Sequence, residues 1–176
     1  MPRDGKFTSP GHAGVHLASG KIRGILTAHF ARIHHSMKQK AFAVWNGGLK
    51  DGNGTISTGS GALSAKPYSF RTRFEGEQGT NPEELVGAAH ASCFSMALSN
   101  ILGQAGLTPT KIETEATITL EAKDGSFAIT SSHLEVKATI PGADDAAFQE
   151  AAAKAKAGCP ISKLLNTTIT MNAQLV

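Results

Sequence analysis

An uncharged segment of eighteen residues, 85–102, constrains this chain more than any other feature. Strong helix signals precede it: Asn81 can cap a helix, Pro82 suits its first turn, and the two glutamates that follow favour its positive end. Ala, Gly, Ser, Cys and His fill most of the segment. Because a helix without a charged face is buried on nearly every side, we predict a long buried helix from residue 82 to about residue 104.

Stretches of alternating apolar and polar residues predict strands on both sides of this helix. They cover residues 41–45, 55–58, 69–75, 111–122, 127–140 and 167–175. Asn-Gly and Asp-Gly pairs between them are turn signals, which favours antiparallel hairpins. A second helix is predicted over residues 144–157, followed by a break at Gly158-Cys159-Pro160 and a short turn at 161–165.

The charge distribution argues against nucleic acid as a partner, although the formal net charge is +3. Residues 1–36 carry +4, whereas residues 37–176, with 12 basic and 13 acidic side chains, carry −1. A basic groove for phosphates is therefore not expected across the body of the chain. No stretch approaches the roughly 18 apolar residues of a membrane span, so no membrane partner is predicted. Two cysteines are too few for a disulfide scaffold or a thiolate zinc site.

The first 36 residues differ from the rest in composition. Residues 1–20 are rich in Gly, Ser, Pro and His, and residues 21–35 could form a short basic amphipathic helix. A secretory signal is not expected, while an organelle transit peptide stays an alternative. We interpret residues 1–36 as an N-terminal extension, irregular or non-native, because a strand pattern follows Met37 closely. Residues 37–176 are predicted to form one domain.

Seven side chains are candidates for chemistry: Cys93, Cys159, His90, Glu83, Glu84, Arg71 and Arg73. Cys93 lies in the uncharged helix and could pack there as a small hydrophobe. Cys159 precedes a helical turn, where backbone N–H groups can stabilise a thiolate, or it is only a boundary residue. His90 could act as a base on Cys93 for acyl transfer, or be a hydrogen-bonded core residue. Residues 37–176 contain two histidines, His90 and His133, which are not a close-spaced ligand pair, so no metal site is predicted there.

Two segments, residues 68–98 and 155–162, carry a family resemblance. The first contains Arg-Phe-Glu-Gly, Asn-Pro-Glu-Glu-Leu and Ala-Ala-His-Ala-Ser-Cys-Phe-Ser, and the second reads Ala-Lys-Ala-Gly-Cys-Pro-Ile-Ser. With both motifs in order, residues 38–176 resemble the OsmC/Ohr family, on the side of the osmotically inducible protein C. The resemblance implies an α+β fold in which antiparallel sheets pack on a long buried central helix, assembled as an intertwined homodimer.

The resemblance also implies a peroxidase that reduces organic hydroperoxides, and hydrogen peroxide less well. Cys93 matches the peroxidatic thiolate, Cys159 the resolving thiol, Arg73 the active-site arginine and Glu83 its partner. In such a cycle the first thiol becomes a sulfenic acid and the second condenses with it to a disulfide. An external dithiol reopens the disulfide, and the family resemblance suggests a lipoylated protein as its carrier. No metal, haem or flavin is implied, and a reducing cytoplasm suits a transient disulfide.

Two other classes stay open beside the enzyme. A non-enzymatic redox sensor or chaperone would keep both thiols without turnover, and a ligand-binding module would use the cysteines only for packing.

Spacing along the predicted helix indicates that two chains build the site. Glu83 and Cys93 lie ten residues apart, roughly 15 Å along the axis at about 1.5 Å per residue. An arginine–glutamate pair gathered at Cys93 therefore cannot easily use the Glu83 of the same chain, whereas a two-fold partner can supply its own. The alternation over residues 69–75 places Arg71 and Arg73 on one strand face, so only the family match selects Arg73.

Overall fold

A computed structural model describes residues 36–176. The amphipathic helix proposed at 21–35 and the interpretation of the N-terminal extension fall on residues outside this part. The described elements are β1 (Ala41–Asn46), β2 (Asn53–Thr58), β3 (Lys66–Ser69), α1 (Phe70–Phe74), α2 (Pro82–Gln104), β4 (Lys111–Lys123), β5 (Ser126–Thr139), α3 (Asp145–Gly158), α4 (Pro160–Leu164) and β6 (Thr168–Leu175). They confirm the predicted α+β class.

The first sheet has the antiparallel order β1-β2-β3. The predicted strand over residues 69–75 is wrong, because the chain leaves β3 at Ser69 and turns into helix α1. The Ser69 hydroxyl accepts a hydrogen bond from the Thr72 backbone N–H at 3.2 Å, and the Thr72 hydroxyl accepts one from the Ser69 N–H at 3.0 Å. This reciprocal cap satisfies both amides and outweighs the alternating pattern.

The second sheet has the order β4-β5-β6, with β4 and β5 antiparallel. Asp124 and Gly125 join them with φ of 52° and 79°, the left-handed conformation of a tight hairpin turn. Strand β6 runs parallel to β5, from Ser131 opposite Thr168 to Ala138 opposite Leu175. The prediction of antiparallel sheets is wrong for this strand, since α3 and α4 form a crossover that returns the chain before β6 begins.

Helix α2 begins where the sequence predicts. The Asn81 side chain accepts a hydrogen bond from the Glu84 N–H at 2.8 Å. The buried face repeats every three or four residues and consists of Gly87, His90, Phe94, Leu98 and Leu102. A Cβ at Gly87 would lie 3.0 Å from the Ala116 carbonyl oxygen, so the helix approaches β4 closely where a side chain is missing. Leu134 and Val136 of β5 and Phe148 of α3 complete the core.

The opposite face of α2 is exposed in the single chain, which corrects the prediction of a helix buried on nearly every side. It carries Ala88, Ala89, Ser92, Met96 and Ser99, and Met96 is 76% exposed. By length and composition alone, α2 is also apolar enough to cross a membrane, contrary to the expectation that no stretch approaches this. Its buried stripe packs instead into the core between β4, β5 and α3.

Candidate active site

The fold brings the two cysteines together although 66 positions separate them in the sequence. Cys93 lies in the middle of α2, and Cys159 occupies the junction between α3 and α4 with Pro160 behind it. Both are free thiols, and their side chains are close enough that each shifts the pKa of the other. Cys159 is completely buried, whereas Cys93 is partly exposed. A reagent arriving from solvent therefore reaches Cys93 first.

In the single chain, the more accessible thiol of this pair has the raised pKa and the buried thiol has the lowered one. Burial raises the pKa of Cys93, and the contact with Cys159 raises it further, while the Ile161 backbone N–H offsets only part of this. Burial also acts to raise the pKa of Cys159, but hydrogen bonds from Cys93, Ser162 and Ile161 outweigh it and lower that pKa overall. A single chain thus favours the thiolate on the sulfur that solvent does not reach.

Arg73 and Glu83 form a second group at the start of α2. Arg73 Nη2 lies 2.7 Å from Glu83 Oε1, and Arg73 Nε lies 3.1 Å from Glu83 Oε2. Two parallel bonds fix both the position and the plane of the guanidinium. The structure therefore joins the predicted arginine to the predicted glutamate.

Arg71 is placed differently from Arg73. Residues two positions apart in a helix point about 200° apart around its axis. Arg71 and Arg73 therefore lie on different sides of α1, whereas a strand would have placed both on one face. Arg71 is 66% exposed and lies 3.1 Å from Glu77 and 3.7 Å from Glu75. The expectation that both arginines share one face is wrong, and the fold itself distinguishes them.

Within one chain, the thiol pair and the Arg73–Glu83 pair are separate groups. Glu83 stands in the first turn of α2, ten residues before Cys93, or roughly 15 Å along the helix axis. The groups that shift the pKa of Cys93 include no cation from the described residues. One chain therefore assembles two halves of the predicted site without joining them.

An apolar cavity of about 300 Å³ opens beside Arg73. Its main lining residues come from β1, β3, α1 and the segments next to them: Trp45, Leu49, Tyr68, Phe70, Phe74 and Pro82. The Trp45 and Tyr68 rings lie 5.3 Å apart on either side of Gly54, where any side chain would collide with the tyrosine ring. Such a cavity suits an apolar group whose polar end faces the guanidinium. The sequence did not predict it, although it contains a single Trp and a single Tyr.

His90 proves to be a hydrogen-bonded core residue, which was one of its two predicted roles. Its Nδ1 lies 2.8 Å from the Ser132 hydroxyl and its Nε2 lies 2.9 Å from the Ser162 hydroxyl. Burial lowers the pKa of His90. With both ring nitrogens engaged by serines, the imidazole forms no dyad with Cys93. Sequence reasoning assigned no role to either serine, although Ser162 closes the quoted segment 155–162.

Comparison with known proteins identifies the family. The model of the OsmC-like protein family matches residues 75–174. The chain belongs to the OsmC family. Escherichia coli peroxiredoxin OsmC is 54% identical over 140 residues, which cover 80% of this chain and 98% of that protein. The organic hydroperoxide resistance protein OhrB of Bacillus subtilis is 27% identical over 123 residues, covering 69% of this chain and 88% of the relative.

Solved structures agree on the OsmC fold. The crystal structure of Bacillus subtilis OhrB aligns with a TM-score of 0.62 and 27% identity, over 77% of this chain and 98% of that one. An OsmC-like protein from Mycoplasma pneumoniae aligns with a TM-score of 0.64 at 18% identity, over 81% and 99% of the two chains, and supports the fold alone.

Family membership makes this OsmC protein a peroxiredoxin-like enzyme of the peroxidase class. Cys93, Cys159 and Glu83 lie within the matched residues, and Arg73 lies two positions before them. Their individual roles stay predictions.

Proposed function

We propose that this OsmC protein is a two-cysteine thiol peroxidase that reduces organic hydroperoxides to alcohols, and hydrogen peroxide less well. The Cys93 thiolate attacks the terminal peroxide oxygen, the O–O bond breaks, and the alcohol leaves with a proton. Cys159 then condenses with the Cys93 sulfenic acid, which releases water and forms the Cys93–Cys159 disulfide. An external dithiol reduces this disulfide by exchange, and we expect a lipoylated protein as the donor.

The observation that carries this proposal is the contact between one accessible and one buried thiol. Solvent access supports Cys93 as the thiol that attacks the peroxide, and the adjoining Cys159 could then close a disulfide without a long movement. Because the two thiols hold both electrons that the peroxide needs, we propose that no metal, haem or flavin takes part. A disulfide that opens in every cycle suits the reducing cytoplasm, where we expect the protein to act.

We further propose that a homodimer completes the site. Cys93 needs a nearby cation to become the thiolate, because burial alone raises its pKa. The partner's Arg73, held by the partner's Glu83, supplies this charge. Two antiparallel copies of α2 that cross at Ala88 would place residue 83 of each opposite residue 93 of the other, since Ala88 lies midway. The exposed, small and uncharged side chains around Ala88 and Ala89 permit so close a crossing.

The cavity next to Arg73 supports organic substrates over hydrogen peroxide. Its aromatic and aliphatic lining offers burial to an alkyl or aryl group, which hydrogen peroxide does not have. In the dimer this cavity comes to Cys93 together with the partner's Arg73. We therefore expect the preference among substrates to follow the apolar area of the hydroperoxide.

The test is to add one equivalent of cumene hydroperoxide to the reduced protein and to count thiols and alcohol. The peroxidase loses both thiols of each chain, releases one cumyl alcohol per chain, and turns over when a dithiol such as dihydrolipoamide is added. Unchanged thiols would instead identify a ligand-binding module. Loss of thiols without turnover under any dithiol would identify a redox sensor. A Cys159→Ser variant is the control, since it should release alcohol once and then stop.

A further inference from the structure

The buried polar side chains of residues 36–176 form one connected row. They are His90, Ser132 and Ser162, and each comes from a different element: α2, β5 and α4. His90 bridges the two serines, with ring nitrogens 2.8 Å from the Ser132 hydroxyl and 2.9 Å from the Ser162 hydroxyl. Burying three polar groups is costly unless they are satisfied, and the peroxidase cycle written above uses none of them.

One end of this row reaches the resolving thiol. Ser162 follows Cys159 by three residues, in the first turn of the short helix that Cys159 precedes, and its hydroxyl and backbone N–H both lower the pKa of Cys159. The buried residues among those described include no Asp, Glu, Lys or Arg. Cys159 is therefore the titratable group buried beside His90, with the partly exposed Cys93 next to it, and burial lowers the pKa of the imidazole, which favours its neutral form.

When Cys159 is a thiolate, the available donors and acceptors fix the direction of every hydrogen bond in the row. The sulfur can then only accept, so the Ser162 hydroxyl donates to it. The Ser162 oxygen accepts from a protonated Nε2 of His90, which leaves Nδ1 without a proton. Nδ1 in turn accepts from the Ser132 hydroxyl. All three hydrogen bonds point toward the Cys159 sulfur, and each one strengthens the next.

We propose that His90 is a positioning residue for the resolving step, in which it holds the Ser162 hydroxyl as a donor to the Cys159 sulfur. The inference rests on the peroxidase cycle proposed above. In this step the Cys159 thiolate forms the S–S bond with Cys93, and the S–O bond of the sulfenic acid breaks. The hydroxide that leaves with the electron pair takes up a proton, equivalent to the one that Cys159 released, and departs as water.

The experiment separates the two chemical steps in a single turnover of the reduced full-length protein with cumene hydroperoxide. Alcohol release reports the attack by Cys93, and mass spectrometry after a dimedone quench reports how fast the sulfenic acid becomes disulfide. Ser162→Ala removes one oxygen from the row and should slow disulfide formation about tenfold at neutral pH, since a hydrogen bond to a charged group is lost. The rate of alcohol release should stay close to that of the wild type.

A pH profile distinguishes positioning from general damage. Without the donor, the pKa of Cys159 rises, so the resolving rate of Ser162→Ala should recover as the pH is raised, and His90→Leu should behave alike. His90→Gln, which keeps an N–H donor near the Nε2 position, should restore much of the rate. Ser95→Ala is the matched control, because Ser95 is a helical serine bonded to Thr114 at 2.8 Å and to the Ala91 carbonyl at 2.9 Å. Both of its rates should match the wild type.

An unchanged resolving rate and pH profile in Ser162→Ala would overturn the proposal while leaving the peroxidase cycle intact. Failure of the wild type to release alcohol would instead refute the proposed function, and the two failures are therefore distinguishable. Should His90→Leu not fold, His90→Asn takes its place, because its amide ends near the Nδ1 position and leaves Ser162 without its partner; a resolving rate and pH profile like those of the wild type in folded His90→Asn would overturn the role of His90.

Discussion

The two sheets of this molecule differ in how complete they are within one chain. The second sheet and helices α2 and α3 enclose a core that contains the thiol pair, including the fully buried Cys159. The first sheet contributes Ile56 as its buried hydrophobic residue, and every residue of β1 is exposed, with Phe42 at 56% and Val44 at 54%. Yet Arg73 and the apolar cavity belong to this open region. The residues of the proposed site are thus divided between two regions, which we call the finished half (the second sheet with α2 and α3) and the unfinished half (the first sheet with α1).

The largest expected effect lies in the finished half. Cys93→Ser should reduce hydroperoxide turnover below detection, because a hydroxyl is a far poorer nucleophile toward peroxide than a thiolate. Cys159→Ser should instead consume one equivalent and then stall or become over-oxidised at Cys93. A steady-state assay with dihydrolipoamide and mass spectrometry of the products measures both. A Cys93→Ser protein that keeps most of its turnover would show that the roles are assigned wrongly.

Mixing two inactive variants tests whether the halves come from different chains. Cys93→Ser and Glu83→Ala proteins are combined under conditions that exchange subunits. In each heterodimer one site then pairs an intact Cys93 with an intact Glu83 across the interface. Half of the dimers are mixed and each has one working site, so activity should return to about one quarter of the wild type. No recovery despite heterodimers proven by native mass spectrometry would argue against a shared site.

A smaller loss of peroxidase activity is expected when Arg73, the arginine of the unfinished half, is replaced. Arg73→Ala should raise the pKa of Cys93 and lower the peroxidase rate roughly tenfold or more near neutral pH, with recovery as the pH rises. Arg71→Ala is the matched control, since its guanidinium pairs with Glu77 at the surface, and its rate should stay near that of the wild type. Iodoacetamide labelling of Cys93 against pH measures the thiolate in both. Equal effects of the two changes would contradict the choice of Arg73.

The same division explains what could be predicted from the sequence. The start of α2 depends on Asn81 and Pro82, which are local signals, and the prediction is confirmed. The strand predicted over residues 69–75 failed because a capping pair, Ser69 and Thr72, outweighed an alternating pattern. The parallel direction of β6 depends on the crossover through α3 and α4, and the exposure of one face of α2 depends on which elements of the fold pack against that helix. Periodicity encodes neither.

For the candidate site as well, only some features could be predicted from the sequence. The residues alone left both cysteines with structural alternatives, and it was the family resemblance that paired Cys93 with Cys159. The apolar cavity and the serines around His90 arise from residues distant in sequence, so spacing could not have predicted them. What the sequence did indicate was the separation between Glu83 and Cys93, since helix geometry alone sets that distance.

The smallest effect expected here concerns the stability of the finished half in acid. Burial holds the pKa of His90 below its ordinary value of 6.5 in the folded state. The unfolded chain therefore binds a proton that the folded chain resists, so His90 favours folding above pH 6.5 and opposes it as the pH falls below that value. The loss should not exceed about 1.4 kcal/mol per pH unit. Urea unfolding at fixed protein concentration from pH 8 to pH 5 measures it. His90→Gln lacks the titrating group, so its curve should fall less steeply, and parallel curves for the two proteins would show that His90 does not set this dependence.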